Sequence, residues 1–401
     1  MISFDVTAGG ASGPRCGRLT TGHGAVETPV FMPVGTHGSV KACSTEDLVE
    51  HKVGMILANT YHLYLRPGHE AVHALGGLHR FMSWPGPILT DSGGYQVLSL
   101  GALRTLSDEG VLFRSHLDGS MHLLTPEKAT EVQELLGADI AMALDVCIAF
   151  PYTRAAAKAA MERTLDWAKR CRESSREGSP ALFGIVQGGV FPELRSACAK
   201  ALAELDFSGY ALGGLGVGEE KEATFSTVER TVECLPPHAP RYLMGMGTPE
   251  DLVEAVALGI DMFDCVLPTR NARNGTLFTR FGRIHIRNSR YALDERPIEP
   301  GCGCSTCRSY SRAYLRHLFL SRELSVYRFN SIHNLFYYQD LMERMREAIR
   351  NDLFAAFRRE FLENLTRVEE DEPEALEAGP RAGIDDSRRS WIDDNSSRKE
   401  V

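Results

Sequence analysis

Eight short apolar runs, most followed by a segment with helical start and stop signals, predict an α/β chain folded as a (β/α)8 TIM barrel. A tight cysteine cluster after the eighth run predicts an inserted C-terminal metal-binding subdomain. The runs are "TPVFMPVG", "MILANTYH", "PILTDSGG", "IAMALDVC", "LFGIVQGG", "YALGGLG", "RYLMGMG" and "MFDCVLPT". Runs of this length without alternation suit strands buried on both faces, as in a parallel sheet covered by helices. A doubly wound open sheet is the alternative reading of the same pattern.

Taken in order, the third run is followed by "VLFRSHLDGSMHLLT", which alternates around Asp118-Gly119 and predicts a hairpin. Next comes "TPEKATEVQELLG", a helix with Thr125 as N-cap, Pro126 in its first turn and Gly137 as its stop. The fourth run leads into "TRAAAKAAMERTLDWAKRCRE", a long helix, and the seventh into "TPEDLVEAVALG", capped the same way from Thr248 to Gly259. Beyond the eighth run, "TLFTRFGRIHIRN" predicts a second hairpin, around Phe281-Gly282. The resulting division is a barrel over 1–275, a metal-binding insertion with an Arg-rich hairpin over 276–335, barrel-packing helices over 336–365, and a tail over 366–401. The tail is charged, nearly free of apolar periodicity and predicted to be disordered.

Composition excludes little by itself. Hydrophobic residues are 43% and charged residues 24% of 401, ordinary values for a globular chain. The start "MISFDVTAGG" has neither a basic stretch nor an apolar core, and no run approaches about 18 apolar residues, so a cytoplasmic protein with no membrane partner is expected. The net charge of −9 conceals a local reversal. Between Leu267 and His317 stand ten Arg, no Lys and three acids, a balance of +7 able to hold a polyanion.

Seven of the ten cysteines are scattered singly, whereas "CGCSTC" crowds Cys302, Cys304 and Cys307 onto one loop. In a reducing compartment such crowding points to metal. Three thiolates want a fourth borderline ligand, for which His317 and His333 are both available and His333, in "NSIHNLFYYQ" where a helix is expected to begin, is preferred. Three Cys and one His would close a tetrahedral Zn2+ shell, one structural ion per subunit.

A TIM barrel gathers its chemistry at the C-terminal ends of its strands. The polar tails of the runs should therefore converge: Asn59, Asp91, Asp145, Gln187, Gly213-Gly214, Met244-Gly245 and Asp264. Paired carboxylates across a barrel mouth are the equipment of glycosyl chemistry, one attacking or stabilising an anomeric carbon and the other moving protons. A metal-dependent hydrolase would want histidines at these ends, and only "NTYH" supplies one. Asp145 can accept two N–H bonds from a guanine-like edge, Gln187 can donate to a ring carbonyl, and Tyr95 and Met244 can sandwich a flat ring.

The motifs "TDSGGYQV", "IVQGG", "LGGLGVGE", "YLMGMG", "FDCVLPTRNARNG" and "CGCSTC" with a later His together resemble the bacterial tRNA-guanine transglycosylases, or queuine tRNA-ribosyltransferases, in order from about residue 3 to 365. The resemblance implies exchange of the wobble guanine, within U-G-U of the anticodon stem-loop of the Asp, Asn, His and Tyr tRNAs, for a 7-deazaguanine base. It implies Asp264 as the nucleophile toward the ribose, Asp91 as general acid/base, and Asp145, Gln187 and the backbone of Gly214 and Leu215 as the base-reading groups. It also implies Tyr95 and Met244 stacking on the base, and a homodimer; Arg270 and Arg273, in the positive stretch just beyond Asp264, are expected to hold the flanking phosphates of the RNA. Cys147 and Val217 match the bacterial pattern and imply 7-aminomethyl-7-deazaguanine, the prequeuosine base, rather than queuine. Gly216, Val146, Ile148, Ala149 and Phe150 depart from the usual pattern at the pocket rim. A non-catalytic tRNA-binding partner subunit and a barrel glycosidase are the competing classes.

Overall fold

The structure, a computed structural model, describes residues 2–100 and 104–366, so the expectation of a disordered tail lies outside the described residues from 367 onward. All eight apolar runs become the strands of one closed parallel barrel: β1 (Val30–Gly35), β2 (Ile56–Ala58), β3 (Ile88–Thr90), β4 (Ile140–Met142), β5 (Ala181–Val186), β6 (Gly209–Leu212), β7 (Arg241–Leu243) and β8 (Met262–Cys265). Closure is made by β8 against β1, with Phe263 opposite Phe31 and Asp264 opposite Met32. A doubly wound sheet would leave two open edges; here every strand has two neighbours.

The alternation hidden in these uniformly apolar runs appears in the core. Met32, Leu57, Leu89, Met142, Phe183, Ile185, Ala211 and Met262 pack together inside the barrel. The intervening residues Phe31, Ala141, Leu182, Leu212 and Phe263 face the helical layer, among Trp167, Cys171, Leu202 and Val253. Both faces being apolar is why the runs show no period of two. The helices Pro126–Leu136 and Pro249–Ala257 are capped by the Thr125 and Thr248 hydroxyls as their sequences require.

Three features differ from the sequence reading. An antiparallel sheet of Ser3–Gly9, Arg15–Thr21 and Gly24–Thr28 precedes the barrel. It is anchored by the fully buried Arg15, whose guanidinium bonds both oxygens of Asp261 and the carbonyls of Pro237 and Ala239. An arginine reads as surface in a sequence, so this anchor is invisible there. The first expected hairpin (Val111–Arg114 with Met121–Leu124) has a third strand, Arg104–Leu106. Finally, His333 does not start a helix but lies inside a 27-residue one, Leu324–Arg350, which contains no Gly or Pro to interrupt it and runs through the expected division at 335/336. Among the described residues no helix is long and apolar enough to cross a membrane.

Candidate active site

The strand tails meet at one end of the barrel. Asp91, just past β3, is buried and accepts from Asn59 Nδ2 at 2.5 Å, Gln96 Nε2 at 2.8 Å and the Thr60 amide at 2.8 Å. Burial raises its carboxyl to about 6, these donors pull it down, and the charge of Asp264 adds to the rise. A carboxyl balanced near neutrality can both give and take a proton.

Asp264 is half-buried at the end of β8. Its Oδ1 accepts from the Tyr242 hydroxyl at 2.6 Å and the Gly245 amide at 2.8 Å, while among the described residues no donor reaches Oδ2. Burial pushes this carboxyl above its ordinary range, and the Tyr242 and Gly245 hydrogen bonds oppose the rise. The phenol of Tyr242 is held protonated, first by burial and then by the Asp264 charge, so it acts as a fixed donor. Tyr242 was overlooked in the sequence because an aromatic residue inside a strand run reads as core.

The neighbouring strands β4, β5 and β6 form a second, adjoining surface. Asp145 accepts from Ser92 Oγ at 3.2 Å and Gln187 Nε2 at 2.8 Å, and its carboxyl is raised by burial. A Cβ on Gly213 would sit 2.7 Å from Gln187 Nε2, and Gly214, at φ +65°, would place one 2.5 Å from Gln187 Oε1, so side chains there would fill the space beside the amide. Behind them the fully buried Arg195 donates at 2.8 Å to each of the carbonyls of Val186, Gly189 and Gly213, tying the ends of β5 and β6 together. Glu219 accepts from the Gly216 and Val217 amides at 2.6 and 3.0 Å and pins the loop that carries Leu215 and Val217. Neither Arg195 nor Glu219 was legible as a site residue, because both act on backbone.

Cys147 is half-buried beside this surface; burial, with help from the Asp145 charge, pushes its thiol up to about 12 and leaves it un-ionised. Phe150, one of the departures from the family pattern, stands 3.4 Å from where a Gly218 Cβ would be, next to Val217. Tyr95, 60% exposed past β3, and the half-buried Met244 past β7 stand on opposite sides of the ring of strands.

Arg270 is exposed and Arg273 half-buried at the last turn of the helix Leu267–Arg273 that follows β8. Among the described residues no carboxylate pairs with either, and Arg273 Nη1 is buried without a partner. The positive stretch is less uniform than its composition implies: Arg280, Arg283, Arg296, Arg308 and Arg312 are each paired with an acid. The arginine helix is strapped to Leu324–Arg350 by Asn330 Nδ2 on the Ala272 carbonyl and Asn334 Nδ2 on the Pro268 carbonyl.

Between those asparagines sits His333, whose Nδ1 lies 3.8, 3.7 and 3.3 Å from the sulfurs of Cys302, Cys304 and Cys307. Zinc–sulfur and zinc–nitrogen bonds at tetrahedral angles imply a separation of about 3.6 Å, so the four residues fit a zinc ion. His333 Nε2 is committed to the Phe278 carbonyl at 2.8 Å, which leaves Nδ1 as the ligand atom. His317, the other histidine considered, is not among the four. With all four positions filled by protein, a zinc ion here would hold structure and offer no site to substrate.

The family model described as queuine tRNA-ribosyltransferase matches residues 11–367. The chain is 56% identical over 366 residues to a queuine tRNA-ribosyltransferase of Desulforapulum autotrophicum, covering 90% of this chain and 98% of the relative. It is 56% identical over 362 residues to that of Pelotomaculum thermopropionicum, with the same coverages. With that of Syntrophobacter fumaroxidans it shares 58% over 347 residues, 86% of this chain and 93% of the relative.

Proposed function

The chain belongs to the queuine tRNA-ribosyltransferase family and is a tRNA-guanine pentosyltransferase, and from that premise we propose that it exchanges the wobble guanine of the Asp, Asn, His and Tyr tRNAs for 7-aminomethyl-7-deazaguanine through an Asp264–ribose ester. The observation that carries this reading is the asymmetry of Asp264: Oδ1 is held by Tyr242 and Gly245 while Oδ2 is free to attack.

Asp264 Oδ2 attacks C1′ as the C1′–N9 bond breaks, and protonated Asp91 delivers a proton to the departing guanine. The incoming base gives its N9 proton to the Asp91 carboxylate, its N9 attacks C1′, and the ester bond to Asp264 breaks. Two displacements at one carbon retain configuration, and the glycosidic bond energy carries over from one base to the next. A carboxyl near 6 serves both proton steps.

Asp145 and Gln187 read the guanine edge with the Gly214 and Leu215 backbone, and Tyr95 and Met244 close on the base from opposite sides. Val217 and Cys147 line the region that receives the 7-substituent. The target base must be splayed from the anticodon loop, around U-G-U, before attack. Arg270 and Arg273 hold flanking phosphates; the exposed Arg270, at the last turn of the helix that follows β8, supports that role. The assembly is a cytoplasmic homodimer with one structural Zn2+ per subunit.

The test is a denaturing gel with tRNA, on which wild type gives a shifted covalent band and Asp264→Asn gives none. An undiminished band in the variant removes Asp264 from this role. Exchange of labelled guanine, competed by 7-aminomethyl-7-deazaguanine and by queuine in parallel, assigns the base.

A further inference from the structure

At the opposite end of the barrel, where the strands begin, three side chains from distant parts of the chain meet. Asp139 immediately precedes β4, His79 lies in the helix Gly77–Met82, and His23 occupies the turn between Arg15–Thr21 and Gly24–Thr28. His23 Nδ1 is 2.8 Å from Asp139 Oδ1, and His79 Nε2 is 3.1 Å from Asp139 Oδ2. The two imidazole rings are stacked, 3.5 Å between centroids and 14° from parallel, so both present a nitrogen to one carboxylate.

We propose that His23, His79 and Asp139 form a second divalent-metal site, distinct from the Cys3His centre, that staples the N-terminal sheet to the floor of the barrel. The donor set is two imidazoles and one carboxylate, which suits borderline ions such as Zn2+, Ni2+ or Co2+ rather than Mg2+ or Ca2+. In the tetragonal shell that suits Ni2+, bonds of about 2.1 Å meeting near 90–100° put nitrogen and oxygen roughly 3.0–3.2 Å apart, close to the two spacings observed, with each imidazole facing a different oxygen of one chelating carboxylate. All three ligand atoms lie within 4.8 Å of one another.

The site is preorganised. The Asp139 carboxylate is fixed by the Ile88 amide at 2.9 Å, and the His23 turn is fixed by Thr21 Oγ1, which accepts from the His23 amide and donates to the Gly24 carbonyl. It is also reachable: the side chains of Asp139 and His79 are 4% and 12% exposed, whereas that of His23 is 45% exposed, leaving its side open for water to complete the coordination shell. An ion there would join residues 23, 79 and 139 across long loops, on the barrel face associated with stability rather than chemistry.

The experiment uses untagged, zinc-loaded protein dialysed against Ni2+, with both metals measured on the same sample. One Ni2+ per chain should bind in addition to zinc, raising the thermal midpoint. His23→Ala and His79→Gln should each weaken Ni2+ binding at least roughly tenfold, the loss that even an outer-shell partner causes, and abolish the thermal rise while zinc content stays at the wild-type value. His23 is at a turn tip, so its replacement leaves the core intact. Absence of bound Ni2+, replacement of zinc one for one, or wild-type Ni2+ affinity in both variants overturns the proposal and leaves the trio as a hydrogen-bonded clasp.

Discussion

Replacing Tyr242 by Phe isolates the support given to Asp264. The ring keeps its place in the core, and only the hydroxyl that donates at 2.6 Å to Oδ1 is lost, leaving the Gly245 amide as the remaining donor. A hydrogen bond to a charged acceptor contributes about 1.5–3 kcal/mol. At 1.36 kcal/mol per pH unit, its loss moves the ionisation of Asp264 upward by about one to two units. The sign follows from which form is bound: the phenol favours the carboxylate, so removing it favours the acid, which cannot attack. Single-turnover adduct formation should therefore keep its rate on the alkaline side and lose about tenfold per unit below the displaced limb.

Stability should follow the same sign. Asp264 is already raised by burial, so its folded form carries the cost of an ionised buried group once the pH exceeds that raised value. Tyr242→Phe enlarges this cost at neutral pH, and its difference from wild type in thermal melting should shrink as the pH falls and the carboxyl protonates. An acid limb that stays where it is in wild type refutes the argument, since the hydroxyl would then be doing nothing for the carboxylate.

The other expectations concern the supports around the site. Arg270→Ala combined with Arg273→Ala should lower the salt dependence of tRNA binding by about 1.4 in log–log slope, roughly 0.7 for each single-stranded phosphate contact; an unchanged slope would make them a solvated face. Arg195→Lys puts one ammonium nitrogen where three guanidinium nitrogens each bond a separate carbonyl, and leaving one or two of those buried acceptors unpaired, at about 1–3 kcal/mol of stability each, should loosen the ends of β5 and β6 and raise KM for the incoming base. A KM equal to wild type would reduce Arg195 to a packing residue. Removing zinc by chelation, or by His333→Ala, should release the helix that carries Asn330 and Asn334 and so weaken tRNA binding and lower the thermal midpoint; filter binding and melting at matched metal content check this.

Much of the site was readable because barrel chemistry is placed by rule. A polar residue at the end of an apolar run in a TIM barrel lies at the mouth, so Asp91, Asp145, Gln187 and Asp264 are gathered by the strand pattern alone. The Cys3His cluster, which could hold a metal ion, was readable for a similar reason: its three cysteines are near one another in sequence at a metal-ligand spacing. What escaped were residues whose partners are backbone or lie far along the chain. Arg15 meets Asp261 across 246 positions, and Arg195 bonds only carbonyls. Tyr242 is fully buried with its hydroxyl turned to Asp264, which no strand pattern distinguishes from a core aromatic.

The sequence by itself determined the eight strands, the capped helices, the order in which polar tails reach the mouth, and the three-cysteine loop, because each depends on neighbours within a few positions. Only the tertiary structure decided that the sheet closes, that β3 and β8 bring Asp91 under the charge of Asp264, and that one oxygen of Asp264 is held while the other is free. Those outcomes depend on through-space distance and burial between segments far apart in the chain, and neither quantity is written in local spacing.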